Sequence, residues 1–445
     1  MIAKKVFNSA CPAIASIALI LYITEYTFLN VNVFIDFFQN IEPKIYKATD
    51  LQNIEIYDNY SLLHRTMNYR RIRVCLDTDY DGNWMDRDSL GYQHIVYSHY
   101  QKASVCKIGL VSYDKFIEPG RQYFGPLNFT GVNNSLISHR KMVVGWSRHF
   151  QFGHFLQDMV CGVISIPSEI VKDAEIFVAF PEPNAKAFFK LLGYDEDHVH
   201  GLTDELIFGH DVYIAVSDFG MNGLFKSWVQ LREIVYSVNH LYDIKPVNHF
   251  FMNKNVGNWG YVKNMIELYN ITKKLYPQYN WIYHDDSIIN KNLTEFARFM
   301  ASVKLFVSGA GSIVFNNYLM HNETGILVVS RSLCDNPAFQ TALHYHMWLL
   351  ALAGEVVTPN GINITEKKFL AGVHDIIHAT YKSRWPVDID NRTRIHFVFN
   401  VTDYFKKGEE IFSNKTTETF IKLRYKNKSD RYRKLLTKKW LFSLL

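Results

Sequence analysis

The sequence has few cysteines, and none of them is spaced for a metal or redox motif. Its 445 residues include five cysteines, with no Cys-x-x-Cys pair and no Cys/His spacing of the kind that binds zinc. It also has no internal repeat and no low-complexity tract, so a repeat architecture is excluded. Hydrophobic residues make up 48% and aromatic residues 15%. This composition predicts a globular protein of two or three domains with sizeable cores.

Charged residues are missing from one run near the N-terminus, Val6 to Thr24. At about 1.5 Å per residue, a helix of this length reaches roughly 28 Å, near the apolar thickness of a bilayer. No small-residue cleavage site follows, so residues 6–29 are predicted to form an uncleaved transmembrane signal anchor. Two lysines precede the run and an acid follows it. The tail of residues 1–5 is therefore predicted to be cytosolic and the bulk lumenal, in a single-pass type II protein of the endoplasmic reticulum or Golgi membrane.

Asn-x-Ser/Thr sequons are frequent along the chain. Eleven occur, whereas average composition would supply roughly three by chance. N-glycosylation takes place in the secretory lumen, so the excess supports a lumenal location. Cys75, Cys106, Cys161 and Cys334 would then lie in an oxidising compartment, and proximity in sequence favours a disulfide between the first two. The predicted glycosylation sites are Asn59, Asn128, Asn133, Asn270, Asn292, Asn322, Asn363, Asn391, Asn400, Asn414 and Asn427.

Basic residues are concentrated near the C-terminus. Nine lysines and arginines stand against one acid between Lys422 and Lys439. Such a run is typical of a solvated helix face or of a contact with phosphate-bearing lipid or nucleotide. Residues 401–445 are therefore predicted to be a basic helical segment.

The pattern of apolar residues divides the rest of the chain into three parts. Residues 30–140 are irregular, with short aromatic-rich strand candidates, and are predicted to be a stem and a β-rich leading region. From about Met142 short apolar runs alternate with amphipathic helices, and the alternation restarts after a break at Pro246. Such alternation predicts parallel sheets covered by helices on both faces. We therefore expect an α/β fold with two Rossmann-like domains, residues 141–245 and 246–400, facing a cleft.

The stretch "VSGAGSIVFNNYLM" lies where a predicted strand ends and a helix begins. Gly309 and Gly311 allow the backbone to turn and to approach a ligand closely. The helix that opens near Ser312 offers unpaired amides and the positive end of its dipole, which suit a diphosphate. A tight strand-to-helix turn explains the same residues without a ligand, because the stretch lacks the lysine of a Walker loop.

The stretch "QFGHFLQDMV" places His154 and Asp158 four residues apart. On a helix, both side chains project from one face. A carboxylate can orient a histidine ring and stabilise its protonated form, so the pair can act as a general base. A hydrogen-bonded structural pair is the alternative. A zinc site of the His-Glu-x-x-His type is excluded because the second histidine is absent.

The stretch "DTDYDGNWMDRD" carries alternate carboxylates at Asp77, Asp79 and Asp81. Its spacing matches an EF-hand loop, but the preceding residues "RRIRVCL" predict a strand rather than the helix of an EF-hand. A weak calcium loop of another kind, an Asp-x-Asp metal site for a nucleotide sugar, and a hydrated turn all remain open. Its predicted position is outside the two α/β sheets, so we interpret it as a surface loop and a candidate site for structural calcium.

Four stretches, in order, resemble glycosyltransferase family 61, a group of lumenal transferases that includes plant xylosyltransferases. The similarity runs from about Val143 to Arg331. The stretches are "FGHFLQD", "IPSEIVKDAEIFVAF" with "LLGYDEDHVHGL", "YVKNMIEL", and "LTEFARFMASVKLFVSGAGSIVFNNYLM". Gly260 or Tyr261 stands where the family has an arginine, and Ser308 stands where it often has a histidine.

The resemblance implies a GT-B architecture and an inverting sugar transfer from a nucleotide-sugar donor to a glycan or glycoprotein acceptor. The N-terminal domain would bind the acceptor, with His154 and Asp158 as the catalytic pair. The loop of Gly309, Gly311 and Ser312 would bind the donor diphosphate in place of a metal, so no cofactor is required for catalysis. Two alternatives stay open, a catalytically inactive glycan-binding protein of this fold and a calcium-dependent surface adhesin. Nucleic acid is not an expected partner. Further donor-binding candidates are Lys254, Asn264 and Asn316.

Overall fold

The computed structural model describes residues 44–47, 74–77, 96–107, 109–112, 115–117, 134–147, 150–215, 225–290, 292–330, 341–342, 345–357 and 361–386. The predicted anchor at residues 6–29 and the predicted basic segment at 401–445 lie outside this part of the chain. No helix in the described part is long and apolar enough to cross a membrane.

The described elements alternate between strands and helices from residue 134 onward. The strands are β1 (Lys44–Lys47), β2 (Val74–Asp77), β3 (Val96–Cys106), β4 (Gly109–Ser112), β5 (Lys115–Ile117), β6 (Asn134–Gly145), β7 (Glu175–Val178), β8 (Val199–Gly201), β9 (Leu206–Ala215), β10 (Asn248–Asn253), β11 (Tyr261–Val262), β12 (Asn280–Asp285), β13 (Val303–Gly309), β14 (Gly325–Ser330), β15 (Trp348–Ala353), β16 (Glu355–Val356) and β17 (Gly361–Asn363). The α-helices are α1 (Phe152–His154), α2 (Cys161–Ile164), α3 (Ser168–Val171), α4 (Glu182–Leu191), α5 (Phe225–Val238), α6 (Met265–Leu275), α7 (Leu293–Ala301) and α8 (Glu366–Lys382). A π-helical segment covers Phe155–Val160, and 3-10 helices cover Glu196–His198, Asp286–Asn290 and Ser312–Leu319.

The first sheet is mixed, because antiparallel strands of the leading region join the parallel strands predicted from residue 141 onward. Its strands run in the order β5-β4-β3-β9-β6-β7-β8, and β1 pairs with β3. The pairs β6–β7, β7–β8 and β6–β9 are parallel, but β3 pairs antiparallel with both β9 and β4. The antiparallel strands come from the predicted β-rich leading region, whose short, irregular apolar pattern carries no information on strand direction.

The second sheet is parallel throughout. Its order is β12-β10-β13-β14-β15-β2, and all five neighbouring pairs are parallel. The chain moves from β10 to β12 on one side and then to β13 on the other, so strand order reverses between β10 and β13. Ligands of open α/β sheets bind at the carboxyl ends of the strands that flank such a switch point.

The strand before the acidic loop is the edge strand of the second sheet. β2 pairs with β15, with Asp77 opposite Leu352. The expectation that this motif lies outside both sheets was therefore wrong, because β2 precedes the alternating part of the chain in sequence but adds to the far edge of its sheet. Asp79 and Asp81 lie outside the described residues.

The two faces of the second sheet are covered by different helices. Phe251, Leu305 and Val307 pack in one core with residues of α6 and α8. Phe250 and Phe306 face the other way, into a larger core that contains α7, the 3-10 helix Ser312–Leu319 and the buried residues of the first sheet and its helices. The predicted helical cover is confirmed, and the two halves share one continuous apolar core.

Several elements match the predicted pattern closely. The run from Glu175 gives β7, and the following helix α4 ends at Leu191 and buries Ala185, Phe188 and Phe189. The helix predicted after the loop at Gly309 is present as a 3-10 helix rather than an α-helix.

Candidate active site

The glycine loop (residues 309–312) lies at the switch point of the second sheet. Gly309 is the last residue of β13, and its neighbour in β14 is Val329. Gly311 precedes the 3-10 helix Ser312–Leu319 with φ of 105°, a left-handed conformation that strongly favours glycine. The first amides of this helix therefore begin at the carboxyl edge of the sheet, where they can donate to an anion.

The glycine loop touches a second backbone turn at Gly260. A Cβ atom on Gly309 would collide with the carbonyl oxygen of Gly260, and a Cβ atom on Gly260 would collide with the carbonyl oxygen of Ala310. Gly260 also has φ of 84°. The two turns therefore cross at backbone distance, and the site at 260 has no room for the arginine side chain that the family resemblance would place at or beside it.

Lys254 supplies a positive charge next to the glycine loop. Its Nζ donates to the carbonyl oxygen of Trp259 at 2.8 Å and lies 5.6 Å from the centre of the Trp259 ring. A Cβ atom on Gly311 would collide with this Nζ and would come within 3.0 Å of the Trp259 ring. The predicted donor-binding candidates Lys254 and Gly311 are thus in contact, with the ammonium at the mouth of the anion site.

Asn253 holds the loop that carries Lys254 and Trp259. Its Nδ2 donates to the carbonyl oxygen of Val262 at 2.8 Å, while its Oδ1 accepts from the amides of Val262 at 3.0 Å and Lys254 at 3.1 Å. Both ends of the loop are therefore tied to one side chain at the end of β10. Sequence reasoning did not identify Asn253 or Trp259, although a polar residue that ends a buried parallel strand was a usable signal.

The other candidate pair, His154 and Asp158, forms a hydrogen-bonded unit. His154 Nδ1 lies 2.9 Å from Asp158 Oδ2, which also accepts from Ser147 Oγ at 2.7 Å. A carboxylate only accepts, so Nδ1 is the donor and the neutral ring carries its lone pair on Nε2. The His154 side chain is 34% exposed and that of Asp158 is 16% exposed, which leaves the ring partly accessible while the carboxylate is held.

The local helix around this pair is not a regular α-helix. His154 ends the short helix α1, and Asp158 lies in the π-helical segment Phe155–Val160. Single π-helical turns inside α-helices often occur at functional sites. Ser147, which follows the end of β6, was not identified from the sequence because its partner is distant in the chain.

The two candidate regions meet at Gly153. A Cβ atom on Gly153 would lie 2.7 Å from the Phe315 ring and 3.4 Å from Ser312 Oγ. The turn before His154 therefore packs against the beginning of the 3-10 helix that follows the glycine loop. Glycine is needed there because of this close approach. The structure thus brings the turn before His154, in the first half, against Ser312 in the second.

The side chains of two other predicted donor-binding residues, Asn264 and Asn316, form hydrogen bonds with the protein backbone. Asn264 donates from Nδ2 to the carbonyl oxygen of Ile364 at 2.8 Å and accepts from the Ile364 amide at 3.4 Å. Asn316 is 1% exposed and donates to the carbonyl oxygen of Ile313 at 2.9 Å. Their amides are thus engaged by the protein itself.

The remaining sequence predictions are placed as follows. Asn270, Asn292 and Asn322 are exposed and Asn363 is half-buried, while the other seven sequons lie outside the described residues. Cys106 and Cys161 are buried, and the disulfide stays a prediction. No group of three or more His, Cys, Asp or Glu that could hold a metal ion occurs among the residues the structure covers.

The described α/β fold has a glycine loop at the switch point of a parallel sheet, and the turn that carries the His–carboxylate pair packs against the helix after this loop. The family model described as Glycosyltransferase 61 matches residues 152–327. The match confirms the resemblance seen in the sequence and identifies this region, from His154 through the glycine loop, as a glycosyltransferase 61 region. A comparison with curated proteins found no match.

Proposed function

We propose that this protein is an inverting glycosyltransferase that moves a sugar from a nucleotide-sugar donor to a hydroxyl of a glycan or glycoprotein acceptor. The observation that carries the proposal is the packing of the His154 turn against the start of the 3-10 helix at Ser312. This packing puts a base-like pair and an anion-binding loop within reach of one bound molecule. The family match supports the general activity.

The proposed architecture is GT-B-like. In this arrangement the mixed first sheet and its helices bind the acceptor, and the parallel second sheet binds the donor. The switch point between β10 and β13 supports the donor assignment, because it is where parallel α/β sheets bind nucleotides. The shared core between the halves supports this arrangement, because it joins the first sheet and its helices to the 3-10 helix that follows the glycine loop.

The proposed base is His154. Nε2 would take the proton of the acceptor hydroxyl as that oxygen attacks the anomeric carbon from the face opposite the leaving group. Asp158 would stabilise the imidazolium that forms, and Ser147 would hold the carboxylate in place through its 2.7 Å hydrogen bond. Each proton-transfer partner is thus held by a further hydrogen bond, as efficient general base catalysis requires.

The departing diphosphate needs positive charge and hydrogen-bond donors, since negative charge develops on it during transfer. The amides at the start of the 3-10 helix and the Lys254 ammonium would supply both. Lys254 would provide the charge that an arginine near position 260 provides in the family. The chain would therefore need no metal for leaving-group stabilisation.

A direct test is turnover by the purified full chain with a panel of nucleotide sugars and glycan acceptors. His154→Ala and Asp158→Asn should each lower kcat, by about 10²–10⁴-fold for the base itself. His198→Ala is a matched control, because His198 also pairs with a carboxylate, Glu175 at 3.0 Å, but is 57% exposed on the amino side of its sheet. Unchanged turnover in His154→Ala would remove the catalytic assignment.

We also propose that the protein acts in the endoplasmic reticulum or Golgi lumen, tethered through residues 6–29. The sequon excess and the apolar N-terminal run support this location. The exposed positions of Asn270, Asn292 and Asn322 are compatible with attached glycans. Treatment of the protein from its native cells with an endoglycosidase should increase its gel mobility; no change would argue against a lumenal location.

A catalytically inactive glycan-binding protein of this fold is the second candidate. The observation that favours it is Gly260, one of the two positions at which the resemblance places an arginine, because its backbone contact with Ala310 leaves no room for a side chain. In that case, glycans would bind measurably while no nucleoside diphosphate would raise the melting temperature of the protein.

A further inference from the structure

Phe150 lies on the segment that leads into the candidate base and is open to solvent. Its side chain is 44% exposed, whereas that of Phe155 is 1% exposed. Phe150 directly precedes Gln151, whose carbonyl oxygen accepts from the Phe155 amide at 3.0 Å and so begins the helical segment of His154. A single exposed apolar side chain needs no explanation by itself. The surroundings of this ring therefore decide what it can do.

The contacts around Phe150 connect it to the strand end that supports the base. Lys107 Nζ lies 4.8 Å from the centre of the Phe150 ring. The Lys107 backbone is held on both sides, because its amide donates to the carbonyl oxygen of Thr203 at 2.7 Å and its carbonyl oxygen accepts from Trp146 Nε1 at 2.8 Å. Trp146 is followed by Ser147, which donates to the carboxylate of the base pair. The end of β6 thus supports both the base pair and the Lys107–Phe150 contact.

The ring and the base are close enough to contact one acceptor. Four residues along the chain separate Phe150 from His154, so their Cα atoms lie at most about 14 Å apart even if the chain were extended. The helical turn that starts at Gln151 shortens this distance. A short oligosaccharide that presents a hydroxyl to His154 can therefore also reach the Phe150 ring.

The ring and the ammonium together match the surface of a sugar. The face of an aromatic ring is electron-rich and attracts positive charge, as the position of the Lys107 ammonium shows. The same face attracts the weakly positive C–H groups on the apolar side of a pyranose ring. The ammonium can donate hydrogen bonds to the oxygens at the rim of that sugar. A serine or threonine side chain has no comparable apolar face, so this pair suits a glycan better than a bare polypeptide.

We propose that Phe150 is a stacking platform for a sugar ring of the acceptor, so that the hydroxyl presented to His154 belongs to a glycan. This inference rests on the proposed function, in which the first half binds the acceptor. Phe150 takes no part in proton transfer and acts by holding the acceptor. Its loss should therefore raise the KM for the acceptor, with little change in the KM for the nucleotide sugar.

The test is binding of the full chain, with UDP or GDP present, to an array of defined oligosaccharides and unglycosylated peptides that contain serine and threonine. The oligosaccharide that binds best is then titrated calorimetrically into wild type and variants. Phe150→Ala should raise its Kd by about tenfold. Phe150→Trp keeps an aromatic face and should stay within about threefold of the wild type.

Tyr381→Ala is the matched control and should leave the Kd unchanged. Tyr381 is 43% exposed, and its ring also carries an ammonium, that of Lys304 at 5.6 Å. It lies beside His249 near the amino ends of the strands of the second sheet, away from the candidate base.

The outcomes separate this inference from the proposed function. Unchanged affinity in Phe150→Ala, an equal loss in Tyr381→Ala, or preferred binding of an unglycosylated peptide overturns the platform, while sugar transfer by the wild type would still support the proposed function. Oligosaccharide binding that depends on Phe150 but occurs without turnover supports the platform and favours the glycan-binding alternative. Neither oligosaccharide binding nor turnover by the wild type overturns both proposals. The wild-type comparison of oligosaccharides with peptides stands even if Phe150→Ala fails to fold.

Discussion

Two histidines, one near the carboxyl edge of the second sheet and one near its amino edge, differ in burial and in hydrogen-bond partners. His154 is one-third exposed and hydrogen-bonded to a carboxylate, and the preceding Gly153 packs against Ser312 at the carboxyl edge of the second sheet. His249 is completely buried near the amino edge of that sheet, where its ring stacks on Tyr279 at 4.5 Å and Tyr381 OH lies 3.2 Å from Nε2. Burial of the second ring opposes its protonation.

The two edges of the second sheet differ in the same respect as the two histidines: one has accessible polar groups, and the other is filled by aromatic side chains. At the carboxyl edge, the amides after the glycine loop and the Lys254 ammonium beside it can offer hydrogen-bond donors and positive charge to an anion. At the amino edge, aromatic rings enclose the histidine, and burial lowers the pKa of His249 to about 4, with a smaller contribution from the nearby Lys304 ammonium. In the proposed function the carboxyl edge binds the donor, whereas the amino edge is filled by the protein's own aromatic side chains. The following predictions test this contrast.

The largest expected effect is on turnover when His154 becomes alanine. Loss of a general base should lower kcat by about 10²–10⁴-fold. Because the side chain is partly exposed, the melting temperature should change by only a degree or two. A calorimetric scan beside steady-state kinetics checks both, and a large drop in melting temperature would place His154 with His249 as a structural residue.

The second prediction concerns pH and His249. Its folded-state pKa lies below that of the unfolded chain, so protonation favours unfolding. The stability it contributes is present above about pH 6.5 and is lost as pH falls toward 4, by on the order of 3 kcal/mol for the full shift. Urea unfolding between pH 7 and pH 4 measures this loss.

His249→Phe is the matched variant for that measurement, since it keeps an aromatic ring in the stack but cannot bind a proton. Its stability should fall less steeply over the same pH range than that of the wild type. An identical slope in both proteins would mean that other groups titrate there, and that His249 is not buried as a neutral ring.

Lys254→Met should weaken donor binding by about tenfold, because hydrogen bonds to a charged group contribute more than neutral ones. The KM for the nucleotide sugar should rise with little change in kcat if the charge is used equally in the ground and transition states. Lys263→Met is the control, because its exposed side chain lies beyond the Gly260 turn. Equal effects of the two substitutions would assign the change to net charge rather than to the site.

The smallest effect is expected from Ser147→Ala, which removes one hydrogen bond to Asp158. Turnover should fall by several-fold, and the pH profile of kcat should shift because Asp158 is held less firmly against His154. Ser165→Ala provides a comparison, since Ser165 Oγ is buried and hydrogen-bonded in the same half at 2.8 Å to Ser227. A pH profile unchanged from the wild type would limit Ser147 to a packing role.

The local chemistry of the site could be predicted from sequence where the partners are close in the chain. His154 and Asp158 are four residues apart, so helical geometry alone predicted their contact, and the structure confirms it at 2.9 Å. The loop at Gly309 was located from a strand followed by a helix. Ser147 and Asn253 were missed, because each forms its hydrogen bonds with residues of another element.

For the fold as well, the features that depend on local sequence were predictable and those that depend on distant segments were not. Alternating apolar patterns predicted the strands and helices of the second half, and all pairs of its six-stranded sheet are parallel as expected. Periodicity does not encode strand direction across distant segments, so the mixed first sheet and the edge position of β2 could not be predicted.

The sequence alone therefore determined the alternation of elements, the His–Asp pair and the glycine-rich turn, because these depend on residues within one helix or one turn. Only the tertiary structure decided that the turn before His154 packs on Ser312, that Gly260 crosses the glycine loop, and that Lys254 takes the charged position beside it. Those contacts join strands and turns far apart in the chain, and close packing between them selects glycine or lysine at sites that local pattern does not constrain.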